Sequence, residues 1–272
     1  MSDKSGIGFS QSSTFLRLVL VLNAVVLVHC VPGLVRAEGW PDQRESGMFV
    51  FFADFSLDGH VRLVNEMGRL EEDLRAHLDV GPPTESVHMF LFQSRDTYEG
   101  YLNEYVPNVP YRRAMFIKGR GPGMVFTHFN AEFAVDVRHE GTHALLHSCL
   151  PMVPLWLDEG LAEYFEVPVD ARASDSSHMS AVRWATRFRR VRPMEELEDL
   201  QAVGDMGRAE YRAAWAWVHF MLHGPPAAHQ ALVGYLGDLQ ASTTPVPLSQ
   251  RLRHSIPDLE QQFIQHFRSW DR

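Results

Sequence analysis

The stretch from Arg138 to Glu166, RHEGTHALLHSCLPMVPLWLDEGLAEYFE, restricts the possible folds more than any other part of the chain. It opens with His139-Glu140-Gly141-Thr142-His143. On a helix, residues four apart stand one above the other on the same face, so these two imidazoles can grip one metal ion. Glu140 follows His139 directly, and its carboxylate leans to the side of that pair. From there it can reach a water held at an open coordination position.

The second half of the stretch reads as another helix, Trp156 to Glu166, entered after the turns at Pro151 and Pro154. Leu157, Leu161, Tyr164 and Phe165 recur at helical spacing and predict one buried stripe. Glu159 and Glu163 lie four apart on another face. Hydrolytic zinc sites take three protein ligands, often two His and one Glu, and leave a fourth position for water. Glu159 is therefore the expected third ligand, with Glu163 as its competitor. Glu163, one turn on, is placed to receive the free N–H of a ligating histidine. Asp158 is expected to cap the turn or meet solvent, and Asp136 to lie at the surface.

HEGTH followed by PLWLDEGLAEYFE resembles the gluzincin branch of the zincin metallopeptidases. The likeness is greatest to secreted bacterial peptidase-like families in which W-L-x-E-G-L-A-E-Y is typical. It covers about thirty residues. Fifteen residues separate His143 from Glu159, a shorter spacer than in thermolysin-like enzymes, so the connecting loop must be tight. The resemblance implies an α+β, zincin-like fold: a mixed sheet with helices, then the HExxH helix, the glutamate helix and a largely α-helical carboxyl lobe. It also implies that an oxyanion-stabilising group comes from that lobe. A helix of the form Y-x-x-x-W-x-x-V runs from Tyr211 to Val218, which nominates Tyr211, with His219 and His223 behind it.

Residues 1–37 have the layout of a secretory signal peptide. Lys4 and Arg17 precede an apolar run from Leu18 to Val31, and Val35-Arg36-Ala37 forms a small-residue exit. The apolar core is shorter than the roughly twenty residues a spanning helix needs. Cleavage implies export to the cell envelope or beyond; without it, the segment would be a membrane anchor. Removal leaves one domain over 38–272, with an α/β lobe to 135 and the metal-site helices and helical lobe after it. That portion carries 22 basic and 33 acidic residues, a balance that argues against a nucleic-acid partner. Its one cysteine, Cys149, reads as a buried thiol.

The remaining segments alternate. Strands are expected at Met48–Phe52, Val87–Phe92, Ala114–Ile117 and Met124–Phe129. The last reads as an ordinary internal strand, while the resemblance implies the alternative of a sheet edge along which a peptide pairs. Helices are expected at Asp58–Asp79, from Ser94 towards Tyr105, and from about Ala131 through the motif. Further helices follow at Met179–Arg190, Ala209–Leu222, Ala228–Leu239 and Pro257–Trp270. Arg183, Arg187 and Arg190 share one helix face and are expected to pair with the acidic run Glu195–Asp199.

Together these readings point to a secreted zinc metallopeptidase using one Zn2+ ion, with peptides or proteins as substrates. Zinc-bound water would attack the peptide carbonyl while Glu140 takes its proton as general base. The alternatives are a non-catalytic zinc-binding module of the same fold and hydrolysis of a non-peptide amide.

Overall fold

The computed structural model describes residues 39–270 except 108, 120 and 175. The expected signal segment lies outside them. The fold is α+β. Five strands, β1 (Asp42–Ser46), β2 (Phe49–Ala53), β3 (Val87–Phe92), β4 (Ala114–Ile117) and β5 (Gly123–His128), form a mixed sheet in the order β1-β2-β3-β5-β4. β2, β3 and β5 run parallel, and antiparallel β1 and β4 close the two sides. β5 is therefore internal, the ordinary reading of that strand, and β4 is the edge strand beside it, so the edge role does not fall on β5. β1 escapes a hydrophobicity reading because DQRES alternates half-buried with exposed positions along the other edge. A turn through Gly47, at φ +59°, joins it to β2.

The parallel strands are buried on both faces, which is why β3 reads VHMFLF without clean alternation. One face carries Phe52, Phe90 and Phe126 in register across three strands. Their rings stack at 5.2 and 5.0 Å. Helix α2 (Arg95–Tyr105) covers this ladder with Tyr98 and Leu102, and Ser94 Oγ caps it by accepting from the Thr97 N–H.

The opposite face presents Phe49, Phe51, Val87, Met89 and Val125 to α1 (Val61–Leu78) and to α3 (Phe133–Cys149), the motif helix. The same core continues through α4 (Leu155–Phe165) and α5 (Met179–Arg187). It then takes in α6 (Met194–Glu198), α7 (Arg208–His223), α8 (Pro226–Gln240), α9 (Leu248–Ser255) and α10 (Leu259–Ser269). Short α6 and α9 add to the helices expected in this largely helical lobe. Among the described residues, no helix is long and apolar enough to cross a membrane. Cys149 is buried, and burial raises its thiol to about 11.

The acidic run finds other partners than α5. Glu195 pairs with Arg253 at 2.7 Å, Glu196 with Arg192 at 3.7 Å, and Glu198 accepts from Ser249 N at 3.0 Å. The expected pairing with Arg183, Arg187 and Arg190 is replaced by contacts from α9 and the α5–α6 connection.

α4 and α7 pack closely because Gly160 lacks a side chain. A Cβ there would sit 2.8 Å from the Ala214 carbonyl oxygen and 3.0 Å from Val218 Cγ2. Gly160→Ala should therefore push α7 away from α4, lowering stability by about 1–3 kcal/mol. Denaturant titration of the two proteins measures that loss.

Three histidines join α7 to α10. His219 Nε2 lies 2.9 Å from the Ala173 carbonyl, which can only accept, so this nitrogen carries the proton. Its Nδ1 must then accept from His266 Nε2 at 2.9 Å. His223 Nε2 meets the Tyr164 hydroxyl at 2.7 Å. Burial holds His219 down to about 3 and His223 and His266 down to about 4. Protons therefore bind the unfolded chain first. The stability from keeping these rings neutral is intact above about pH 6.5 and is lost as pH falls towards 4. Melting temperature against pH should show this decline, and His266→Gln should shallow it.

Candidate metal centre

α3 and α4 are unusual helices for their polarity. Almost every residue of α3, and every residue from Trp156 to Phe165 in α4, is buried. The expected single apolar stripe on α4 is thus only part of its buried surface. The other part carries Asp158, Glu159 and Glu163. Buried carboxylates and imidazoles are costly unless paired, and here they pair with one another.

His139 and His143 turn their Nε2 atoms to the same place, 3.3 Å apart. Glu159 Oε2 lies 3.7 Å from each. The outer nitrogens are engaged elsewhere. His139 Nδ1 faces Glu166 Oε2 at 2.8 Å. His143 Nδ1 approaches Asp158 Oδ1 at 2.9 Å, a close contact too bent for a well-formed hydrogen bond. Carboxylates on the Nδ1 side favour the tautomer that leaves both Nε2 lone pairs pointing inward. Two lone pairs and a carboxylate oxygen facing one point repel unless a cation or a proton sits among them.

The distances fit a metal. Tetrahedral zinc with bonds of about 2.0–2.1 Å places neighbouring ligand atoms about 3.3–3.4 Å apart. The three observed separations lie at or slightly above that. Neither Glu159 oxygen has a hydrogen-bond partner within the described protein, as expected of an atom reserved for a ligand. Burial opposes a charge on His139, but Glu159 and Glu166 outweigh it and hold the imidazole well above its usual pKa. Burial raises Glu159 in turn, against the pull of the two histidines. A divalent cation competing for the same lone pairs would take the proton's place.

The carboxylate on His139 Nδ1 is Glu166, which corrects the expectation for Glu163. Glu163 hydrogen-bonds His178 Nε2 at 2.9 Å. Oxygens of Glu163 and Glu166 and a nitrogen of His139 lie within 4.8 Å of one another, so Glu163 borders the site without taking the position assigned to it. Asp158 is fully buried between His143 and His147, whose Nε2 lies 3.1 Å from Oδ2. Burial alone would raise its carboxyl, but the two imidazoles hold it well below the usual range. Its expected place at the surface is therefore wrong. Glu166 stands seven residues after Glu159, two turns along one face, and that spacing was the available signal.

Glu140 is buried on the sheet side of α3. Burial raises its carboxyl, His139 and His143 partly offset this, and the backbone N–H of Phe116 in β4 is directed at it. Its Oε2 has no partner within the described protein. Tyr211 is buried in the first turn of α7. It shares the electrostatic surroundings of the Arg112 guanidinium with Glu140 and Glu159. Both nitrogens of His219 are used, by His266 and by the Ala173 carbonyl, and His223 is tied to Tyr164. Asp136, expected at the surface, is buried in a two-pronged ion pair with Arg113, at 2.6 and 2.7 Å. This pair fastens the entry of β4 to α3.

Residues 134–247 match the family described as "Protein of unknown function (DUF1570)". No curated protein matches the chain. Among solved structures, it is similar to an M1 zinc metallopeptidase from Deinococcus radiodurans, with 14% identity and a TM-score of 0.46. The similarity covers 85% of this chain and 52% of that one, so the chain spans about half the length of that enzyme.

Removing the charge on His139 Nδ1 should weaken divalent-ion affinity about 10- to 100-fold. Glu166→Gln is expected to show that loss in chelator competition, and Glu163→Gln, which spares the Nδ1 contact, a smaller one. Equal effects would contradict the assignment of Glu166.

Proposed function

We propose that this protein is an exported zinc-dependent metallopeptidase, with His139, His143 and Glu159 as zinc ligands and Glu140 as general base. The observation that carries the proposal is the convergence of two Nε2 atoms and one Glu159 oxygen, 3.3–3.7 Å apart and shielded from solvent, beside a fourth buried residue, the acid Glu140. The N-terminal sequence pattern supports export, and the α/β lobe with its helical partner supports a single zincin-like domain over 38–272.

Bound zinc supplies Lewis acidity, which brings the pKa of water down to about 7 and polarises a carbonyl oxygen. Glu140 is suited to the proton transfers. Its raised affinity for protons makes it a better base near neutral pH than an exposed glutamate. It accepts a proton as the new C–O bond forms, then gives it to the amine nitrogen as the C–N bond breaks. Glu166 and Asp158 orient the two imidazoles. Tyr211, at the head of the helix held against α4 by Gly160, donates to the oxygen that gains charge.

Glu140→Gln keeps the shape of the site and removes the base. It should retain zinc at one ion per chain while cleavage of an unfolded protein substrate drops about 10²- to 10⁴-fold. Metal analysis and a fluorescent-casein assay measure the two quantities. A parent protein that holds zinc and cleaves nothing would favour the non-catalytic binding module instead.

A further inference from the structure

Arg112 lies just before the edge strand β4, and it leaves two shielded guanidinium nitrogens unmatched where Arg75 and Arg212 each leave one. Arg113 has Asp136, Arg138 has Glu66 and the Glu166 carbonyl, and Arg172 has Asp73 and the Val167 carbonyl. The Nε and Nη1 atoms of Arg112 are shielded from solvent and have no hydrogen-bond partner among the described residues. A guanidinium cannot shed its proton in a protein, so leaving its donors unmet is unfavourable. The backbone of Arg112 is held in place, because its carbonyl accepts the Tyr98 hydroxyl at 2.7 Å.

The groups around this cation belong to the metal centre. Glu140, Tyr211 and Glu159 all lie within its electrostatic reach. The two acids are not hydrogen-bonded to it, and the proposed mechanism commits them to proton transfer and metal binding. The next residues along the chain form β4, whose Phe116 N–H is directed at Glu140. A peptide entering along this edge would pass both groups.

We propose that Arg112 anchors a carboxylate of the substrate, so that the site prefers peptides with an acidic group near the scissile bond. The group is either an Asp or Glu side chain or the α-carboxylate of a chain end. This inference rests on the metallopeptidase reading for its location, but its binding test does not depend on turnover.

The test uses two matched peptide pairs. One pair differs only in a free or amidated C-terminus, and the other in Glu or Gln beside the scissile position, with the C-terminus amidated. Titration calorimetry on zinc-loaded Glu140→Gln should show tighter binding of the acidic member in at least one pair, by about 10- to 100-fold, the range for charge-assisted hydrogen bonds. The pair that discriminates identifies the source of the carboxylate. Adding Arg112→Gln should abolish the difference while leaving the neutral member unchanged, and Arg112→Lys should restore part of it. With Glu140 intact, Arg112→Gln should act mainly on KM. Because Arg112 has no hydrogen-bond partner for these two nitrogens, Arg112→Met should melt at or above the parent temperature. A fall would mark a structural arginine and overturn the proposal. So would equal binding within both pairs, or equal losses for all four peptides. If the parent cleaves no peptide yet the Arg112-dependent preference persists, the anchor stands and the peptidase reading fails.

Discussion

Two imidazole lone pairs and one carboxylate oxygen are forced together among buried side chains, and the surrounding structure follows from keeping them there. Left alone, such an arrangement would open by rotating the rings apart. Rotation is blocked because each ring's other nitrogen faces a buried acid, Glu166 or Asp158. These acids are fixed in turn: Asp158 by His147, and Glu166 by α4, whose last turn accepts the Arg138 guanidinium at the Glu166 carbonyl. The polar content of α3 and α4, which would be a liability in an ordinary core, is held by contacts around the rim of the site, while the Glu159 oxygens at its centre are left without a hydrogen-bond partner among the described residues.

The placement of the helices serves the same end. The sheet offers α3 a flat apolar bed of alternate residues from β2, β3 and β5. α4 returns across α3 after a short proline-bounded loop, and α7 lies against α4 at the one position where a hydrogen replaces a side chain. Residues from three separate stretches, Arg112, Glu140–Glu159 and Tyr211, thereby come to share one electrostatic environment.

Much of the site was legible because it is local. The i, i+4 spacing of His139 and His143 needs only a helix to bring the rings together, and Glu159 follows on the next helix. What failed was set by contacts between distant parts of the chain. Glu163 and Glu166 are chemically alike, and only the rotation of α4 about its axis decides which of them faces His139. Asp158 looked like a surface cap because the sequence does not reveal that His147 comes round to meet it. Strand existence was readable from β3 and β4, but strand order was not: β5 lies between β3 and β4 through pairings between distant stretches that no local pattern announces. β1 is polar and pairs only because Gly47 folds it back. Two partners of the acidic run, Arg253 and Ser249, come from α9, more than fifty residues downstream, beyond any local charge pattern.

The Arg138 guanidinium touches both Glu66 on α1 and the end of α4, linking positions 72 residues apart in sequence. The final geometry of the histidine-bearing helix is therefore tied to the docking of the first long helix, a coupling between distant parts of the chain. Ion uptake and docking of the amino-terminal helix are then two views of one equilibrium: an ion that binds only the finished centre draws the first helix into place, and a chain that loosens that helix releases its ion.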